Sequence, residues 1–310
     1  MALFGACGGG GSGTDRSQAN AGGTSSGSGN QSGGASGSGT SGGATSGGSG
    51  GSGGGASSCA PKCTCPYPAG DGANVMIDDL EDGNGQLGAI DNRIGYWDFS
   101  RDASSGTTTP AANTNAIVPE DGGANGTAKA LHVSGQGLTG WGAGLAPLLN
   151  NGCSYDASEY GGIAFYAKGT ASGVTGPNKI LVMVGMPEFI PAENGGTCTD
   201  TTRCFSRHRA TIDLTGEWKQ YKVAWADLKP GWITDVMFDA SRIRDLNFSV
   251  DAGSTGADGG AGVDFDIWID ELEFLPKGAT GNLGGSGGSG GNGSGGTGGS
   301  SGGAGGEGGA

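Results

Sequence analysis

Apolar side chains in this chain are confined to its middle. From Gly8 to Ser57 almost every residue is Gly, Ser, Ala or Thr, and from Gly278 to Ala310 units such as Gly-Gly-Ser-Gly repeat. Neither stretch has enough apolar surface to offset the entropy of ordering its backbone. Both read as flexible coil, and a tether as long as the first spans about 40 Å root-mean-square. A packed core can therefore form only between Asn74 and Lys277, a length that suits one sandwich or barrel. The expected organisation is a signal-like segment at 1–7, a Gly/Ser linker at 8–57, a Cys/Pro-rich linker at 58–73, a folded domain at 74–277 and a Gly/Ser tail at 278–310.

Within that domain the pattern is one short strand after another. Val75–Leu80, Ala130–Val133, Gly162–Ala167, Ile180–Met186, Arg209–Leu214, Lys219–Trp225, Ile243–Val250 and Phe265–Leu275 are apolar or alternating runs, separated by Gly, Asn, Asp and Pro. No segment of helical length keeps a 3.6-residue period. In Lys219-Gln-Tyr-Lys-Val-Ala-Trp225, Tyr221, Val223 and Trp225 share one face and Gln220, Lys222 and Ala224 the other. Such two-faced strands belong to antiparallel sheets packed on one side, and this many of them predict an all-β, two-sheet jelly-roll sandwich. The last run has a phase defect: Phe265, Ile267 and Ile269 hold one parity, Leu272 and Phe274 the other. A slip of one residue at Asp270-Glu271 is what a β-bulge produces.

Charge narrows the partners. The formal net charge is −14, and only Asp15, Arg16, Lys62, Asp71 and Glu307 are charged outside 74–277. Nucleic acid needs a basic footprint and is excluded; cations, neutral sugars or basic partners fit an acidic domain. No apolar run approaches the roughly 18 residues of a membrane span.

Cysteine usage points to export. Cys59, Cys63, Cys65, Cys153, Cys198 and Cys204 form an even set, which in a secreted chain reads as disulfides. Cys198 and Cys204 bracket a short loop and are the expected pair; the partners of the others stay open. Cys59, Cys63 and Cys65 lack the second close pair or histidine of a zinc site. Met1-Ala-Leu-Phe-Gly-Ala-Cys7 resembles the cleavage region of a bacterial lipoprotein signal, without the n- and h-regions of one. Either the true start lies upstream and Cys7 is a lipid anchor, or Cys7 is a chance thiol. The first alternative places the protein at the cell surface, anchored to the outer membrane, with the linker as leash and the lipid as its sole membrane contact.

Met-Ile-Asp-Asp-Leu-Glu-Asp-Gly (76–83), Asn92-Arg-Ile-Gly-Tyr-Trp97, Gly142-Ala-Gly, the run from Tyr155 to Gly169, Glu217-Trp-Lys-Gln-Tyr and Phe265-Asp-Ile-Trp-Ile-Asp-Glu-Leu-Glu-Phe274 resemble family 11 carbohydrate-binding modules and their galactose-binding-like relatives, in order and spacing, across 74–277. The resemblance implies a β-jelly roll with a concave sugar-binding face and a structural calcium. In such a fold the first and last strands lie side by side, which brings Asp79, Glu81 and Asp82 near Asp270 and Glu271. Calcium takes six to eight oxygens, largely carboxylates and main-chain carbonyls. The expected ligands are Asp79, Glu81 and Asp270, with Glu81 and Asp270 those the resemblance favours; the alternative is carboxylates merely solvated at a strand end.

Sugar binding needs flat aromatic faces and planar polar groups. Trp141 lies between glycines, and Tyr96-Trp97-Asp98 and Pro230-Gly-Trp232 lie by turn signals, so Tyr96, Trp97, Trp141 and Trp232 are candidate platforms. Each has packing as its plainer role. Cys204-Phe-Ser-Arg-His-Arg-Ala210 concentrates basic residues in an acidic domain. Alternation puts Arg207 and Arg209 on one side of that strand and His208 on the other, so all three are candidates while the groove side is open. No catalytic residue is assigned: His132 and His208 are the only histidines, and no nucleophile elbow or His-Glu-x-x-His occurs. The expected function is polysaccharide binding, of a β-glucan type, by a monomeric exported module. A jelly-roll hydrolase or lyase and an adhesive protein with no sugar ligand are the alternatives.

Overall fold

The computed structural model describes Cys63, 66–111, 114–115, 117–173, 175–252 and 262–284. Cys7, Cys59 and Cys65 lie outside the described residues. The strands are β1 (Met76–Asp78), β2 (Tyr96–Arg101), β3 (Thr107–Thr109), β4 (Thr114–Asn115), β5 (Glu120–Asp121), β6 (Lys129–Leu138), β7 (Gly142–Leu148), β8 (Tyr160–Ala171), β9 (Lys179–Gly185), β10 (His208–Asp213), β11 (Lys219–Ala224), β12 (Asp245–Asp251) and β13 (Val263–Pro276).

They form two antiparallel sheets, an all-β sandwich. A seven-stranded sheet runs β11-β8-β13-β6-β3, with β1 on β13 and β5 on β6, and a six-stranded sheet runs β10-β9-β12-β7-β2-β4. Every expected run contains a strand. The strands not foreseen are short ones and two long ones, β2 and β7. In β7 nearly every side chain is buried on both faces, so its Gly-Ala-Gly-Leu-Ala-Pro-Leu sequence shows no alternation to read.

The core lies between the sheets. Inward residues of the seven-stranded sheet, among them Leu131, Ile163, Phe165, Ile267 and Ile269, meet Phe99, Val182, Val184, Leu246 and Phe248 of the six-stranded one. Phe165 packs edge-on against Phe248 across the interface, ring centroids 4.8 Å apart. Each such side chain withdrawn from water contributes about 1.5–3 kcal/mol.

β13 is the spine. Its first half pairs with β6 on one side, from Val263 to Ile269, and its second half with β1, at Leu272 and Glu273, while β8 runs along the other side. The register on β8 slips where Asp270 faces Tyr166 and Glu273 faces Ala164, and Glu271 takes φ 45°. The bulge expected from the change of phase is therefore present, at the point where β13 changes neighbour.

Two disulfides hold the loops. Cys198–Cys204 is formed as expected, and Cys63 pairs with Cys153 across a sequence separation of 90. Closing so long a loop contributes about 4 kcal/mol in the chain-entropy model. The folded body thus reaches beyond 74–277 at both ends, since Asn282 also pairs with Lys222.

Among the buried charged residues, Arg93 anchors a network of its own. Arg93 is fully buried; its Nη2 donates to the Met76 carbonyl at 2.6 Å and Nη1 to the Tyr155 hydroxyl at 3.2 Å, with the Asp91 carboxylate 3.6 Å away. Asp91 in turn accepts from the hydroxyls of Tyr155 and Tyr160. Removing one member strands the others without water. Arg93→Ala is expected to cost about 3–5 kcal/mol of unfolding free energy, read as a lower midpoint in urea; a loss under 1 kcal/mol would show that the network is not structural.

Candidate functional site

The outward face of the six-stranded sheet is polar yet sheltered. Trp97 and Phe99 point into the core from β2, so Tyr96, Asp98 and Ser100 point out; Leu246, Phe248 and Val250 point in from β12, so Asp245, Asn247 and Ser249 point out. Asp245, Asn247, Ser249 and Ser100 are nonetheless buried. The strands beside them have made room. A Cβ at Gly144 would come within 2.9 Å of the Asn247 amide, and one at Gly185 within 2.8 Å of the Asp245 carboxylate. Both polar side chains therefore lie flat across a glycine floor. The buried Asn247 Oδ1 has no hydrogen-bond partner among the described residues.

Basic residues border this face. Arg207 Nε donates to Asp245 Oδ1 at 3.1 Å, which places Arg207, and by alternation Arg209, on the outward side. His208 points the other way. It is buried on the core side between Phe189 and Phe238, with ring centroids 5.7 and 5.6 Å away, and that burial lowers its pKa. His208 is thus a packing residue and not a sugar contact, a correction that follows from which parity of β10 faces the second sheet.

The aromatic candidates divide in the same way. Trp97 is fully buried, its indole N–H donating to Asp78 Oδ2 at 2.7 Å, and offers no platform; the Tyr-Trp-Asp segment is the start of β2, not a turn. Tyr96 is half-buried on the outward face, near the Arg207 end of the sheet. Trp232 is 56% exposed. The segment before it packs against the strand that bears the arginines, since a Cβ at Gly231 would meet the Arg207 carbonyl at 2.9 Å. Trp141 is 38% exposed but precedes β7 at its far end, about 20 Å along the strand from Leu148, which pairs with Tyr96. The structure brings Arg207, Arg209 and Trp232 together at the β10 edge, sets Tyr96 at the same strand level but four strands away across the sheet, and leaves Trp141 at the other end. Asp98, Asp245 and Asn247 were missed by sequence reading, although polar residues at every second place between Leu246, Phe248 and Val250 were the available signal.

A second polar centre sits where β13 bulges, on the other sheet. Asp270 is fully buried; its Oδ2 accepts from Ala124 N and Thr127 Oγ1, both at 2.7 Å. Burial pushes its pKa up and the Glu81 carboxylate adds to the rise. Glu81 Oε1 accepts from Ala128 N and Lys129 N at 2.9 and 2.8 Å. A Cβ at Gly123 would lie within 2.7 Å of Thr127 Oγ1 and of the main-chain carbonyls of Thr127 and Lys129. Gly123 therefore packs where no larger residue fits. Among the described residues no group of three His, Cys, Asp or Glu side chains converges to hold a metal ion. Asp79 is exposed and its carboxylate accepts from Glu81 N.

No family model matches the sequence, and no curated protein matches it. Among solved structures, it is similar to a family 11 carbohydrate-binding module from Clostridium thermocellum in complex with a β-1,3-1,4-mixed-linked tetrasaccharide, at 15% identity and TM-score 0.39, covering 66% of this chain and 96% of that one. It is similar to a family 30 carbohydrate-binding module of a cellulosomal cellulase from the same organism at 13% identity and TM-score 0.38, covering 58% and 92%. An exo-β-agarase matches at 17% identity and TM-score 0.37, over 66% of this chain and 25% of the agarase.

Asp98 makes the outward face sensitive to pH. Burial pushes its carboxyl up to about 6, and the negative charge of Asp245 adds to the shift. A carboxyl whose folded pKa is raised is fully compatible with the fold below about 4 and costs stability as pH rises through 6. Asp98→Asn should therefore raise stability at pH 8 by on the order of 2 kcal/mol and leave it unchanged at pH 4, measured by urea unfolding at both values.

Proposed function

We propose that this chain is a non-catalytic polysaccharide-binding module that takes a glycan chain along the outward face of its six-stranded sheet. The observation that carries the reading is the row of Asp98, Asp245 and Asn247 laid over a floor of Gly144, Ala146 and Gly185, with Arg207 beside it. Carboxylate, amide and guanidinium groups offer acceptors and donors to sugar hydroxyls, and fixed polar groups in a concave face give such a site its orientation. Arg207 is held by Asp245, so it meets a ligand without first losing rotamer freedom. A net charge of −14 favours a neutral glycan over an anionic one, and a β-glucan is the finer assignment.

Export is part of the proposal. Two disulfides tie the domain, and such bonds persist in oxidising compartments. The glycine-serine stretches then act as leashes that let the module reach its polymer, with Cys7 as the candidate lipid anchor and a monomer as the working unit.

Retention on mixed-linkage β-glucan, xylan, galactan and agarose by affinity electrophoresis tests the binding. The native protein should be retarded by at least one, and Arg207→Ala or Asn247→Ala should weaken that retardation about tenfold or more. Absence of retardation on all four polymers would favour the adhesive reading. Release of reducing ends would favour a hydrolase, in which Asp98 and Asp245 would be the groups to examine.

The proposal includes a structural calcium at the β13 bulge, with Asp270 and Glu81 as its carboxylates. The cation would offset the charge that burial makes costly at Asp270. Chelation should lower the melting temperature by several degrees, and Asp270→Asn should remove the response to calcium; equal melting with and without chelator refutes the site.

A further inference from the structure

A small cavity of about 260 Å³ lies between the loop closed by the Cys198–Cys204 disulfide and the segment that follows Trp232. Phe189, Ile233 and Val236 give it an apolar wall, while Thr197, Thr199 and Arg203 bring polar groups to its lining. Arg203 Nη2 meets Asp235 Oδ1 at 2.5 Å, an ion pair that joins the two segments. Trp232 precedes Ile233 of the cavity wall without lining the cavity itself, and its indole N–H is donated to the Thr202 carbonyl at 2.9 Å. Its polar atom is satisfied by the disulfide loop, so what the half-exposed ring offers to solvent is its apolar surface. The Ile233 amide donates to Ser206 Oγ at 2.7 Å, which fixes the residue after Trp232 to the chain leading into β10.

We infer that this cavity is a subsite for one pyranose unit, a chain end or branch, with Trp232 as its platform and the Cys198–Cys204 loop as the wall that positions the ring. The inference rests on the polysaccharide-binding reading above. Pyranose rings present an apolar face to an aromatic ring and equatorial hydroxyls to planar polar groups. Trp232 supplies the first, and Arg203 with the two threonines supplies the second. A cavity with an apolar wall and a few polar groups on its lining matches one ring better than a continuous chain, whose length the open groove accommodates. The disulfide closes only a short loop, so its contribution to overall stability is small by loop length, about 2 kcal/mol in the chain-entropy model. Its larger effect is to hold Thr202 under the Trp232 indole.

The test uses the full chain, its native disulfides intact, with the four polymers named above and with cellotetraose as a soluble probe. Three variants are compared with the native protein: Trp232→Ala, Val236→Trp to fill the cavity, and the double variant Cys198→Ser/Cys204→Ser. Each should weaken binding about tenfold. The cysteine variant combined with Trp232→Ala should be no weaker than Trp232→Ala alone, because both remove one platform. In addition, the indole N–H resonance of Trp232, assigned by its loss in Trp232→Ala, should shift on adding cellotetraose and should move on loss of the disulfide even without sugar. If native protein binds a polymer while Trp232→Ala and Val236→Trp bind it equally well, the subsite is overturned and the groove reading stands. If native protein binds none of the polymers and the resonance ignores cellotetraose, both fall together. An unmoved Trp232 resonance in the cysteine variant overturns the positioning role of the disulfide.

Discussion

The extra residue in β13 is the constraint on which much of this molecule turns. A strand presents alternate side chains to opposite faces, so Phe265, Ile267 and Ile269 could not share a core with Leu272 and Phe274 without a slip. The bulge at Asp270-Glu271 supplies it, at the place where β13 leaves β6 and takes up β1. Both halves of the strand then bury their apolar set. The slip also leaves Asp270 on the outward side beneath the loop that carries Ala124 and Thr127. A carboxylate in such a place is costly unless something answers its charge, and here Ala124 N and Thr127 Oγ1 donate to it.

The two sheets divide their work. The seven-stranded sheet holds β13, the junction of the chain's first and last strands and the carboxylate cradle. On the six-stranded sheet, β7 and β12 are buried on both faces along almost their whole length, and on β12 polar residues lie where apolar ones would continue the core. Asp245 and Asn247 can lie down only because Gly185 and Gly144 stand beside them. Any larger residue would lift those groups away from the sheet. The glycines beside these side chains are thus spatial requirements at particular places.

Binding on such a face differs from binding in a deep pocket. Asp98 and Asp245 repel one another, and the Arg207–Asp245 pair takes up part of that charge. A network of this kind is held by the scaffold before any ligand arrives, which lowers the ordering cost of recognition. At the β10 edge the Trp232 indole donates to Thr202 of the Cys198–Cys204 loop, whereas Trp141 lies at the opposite end of β7.

How much of this was legible in the sequence follows from the range of each interaction. The all-β class, the short disulfide and the bulge were all readable, because alternation and loop closure are local properties. The parity of Tyr96, Trp97 and Asp98 was also readable, as was that of Arg207, His208 and Arg209. The sign of that parity was not. Whether Trp97 faces the core or the solvent depends on which side of β2 meets the second sheet, and the strand alone is symmetric in that choice. For the same reason the sequence named Trp97 and His208 as candidate contacts and passed over Asp98, Asp245 and Asn247. Cys153 could not be matched to Cys63 because the pairing spans 90 residues and depends on where both ends land. Sequence determined the strands and their two faces; only the packing of one sheet on the other decided which face turns outward.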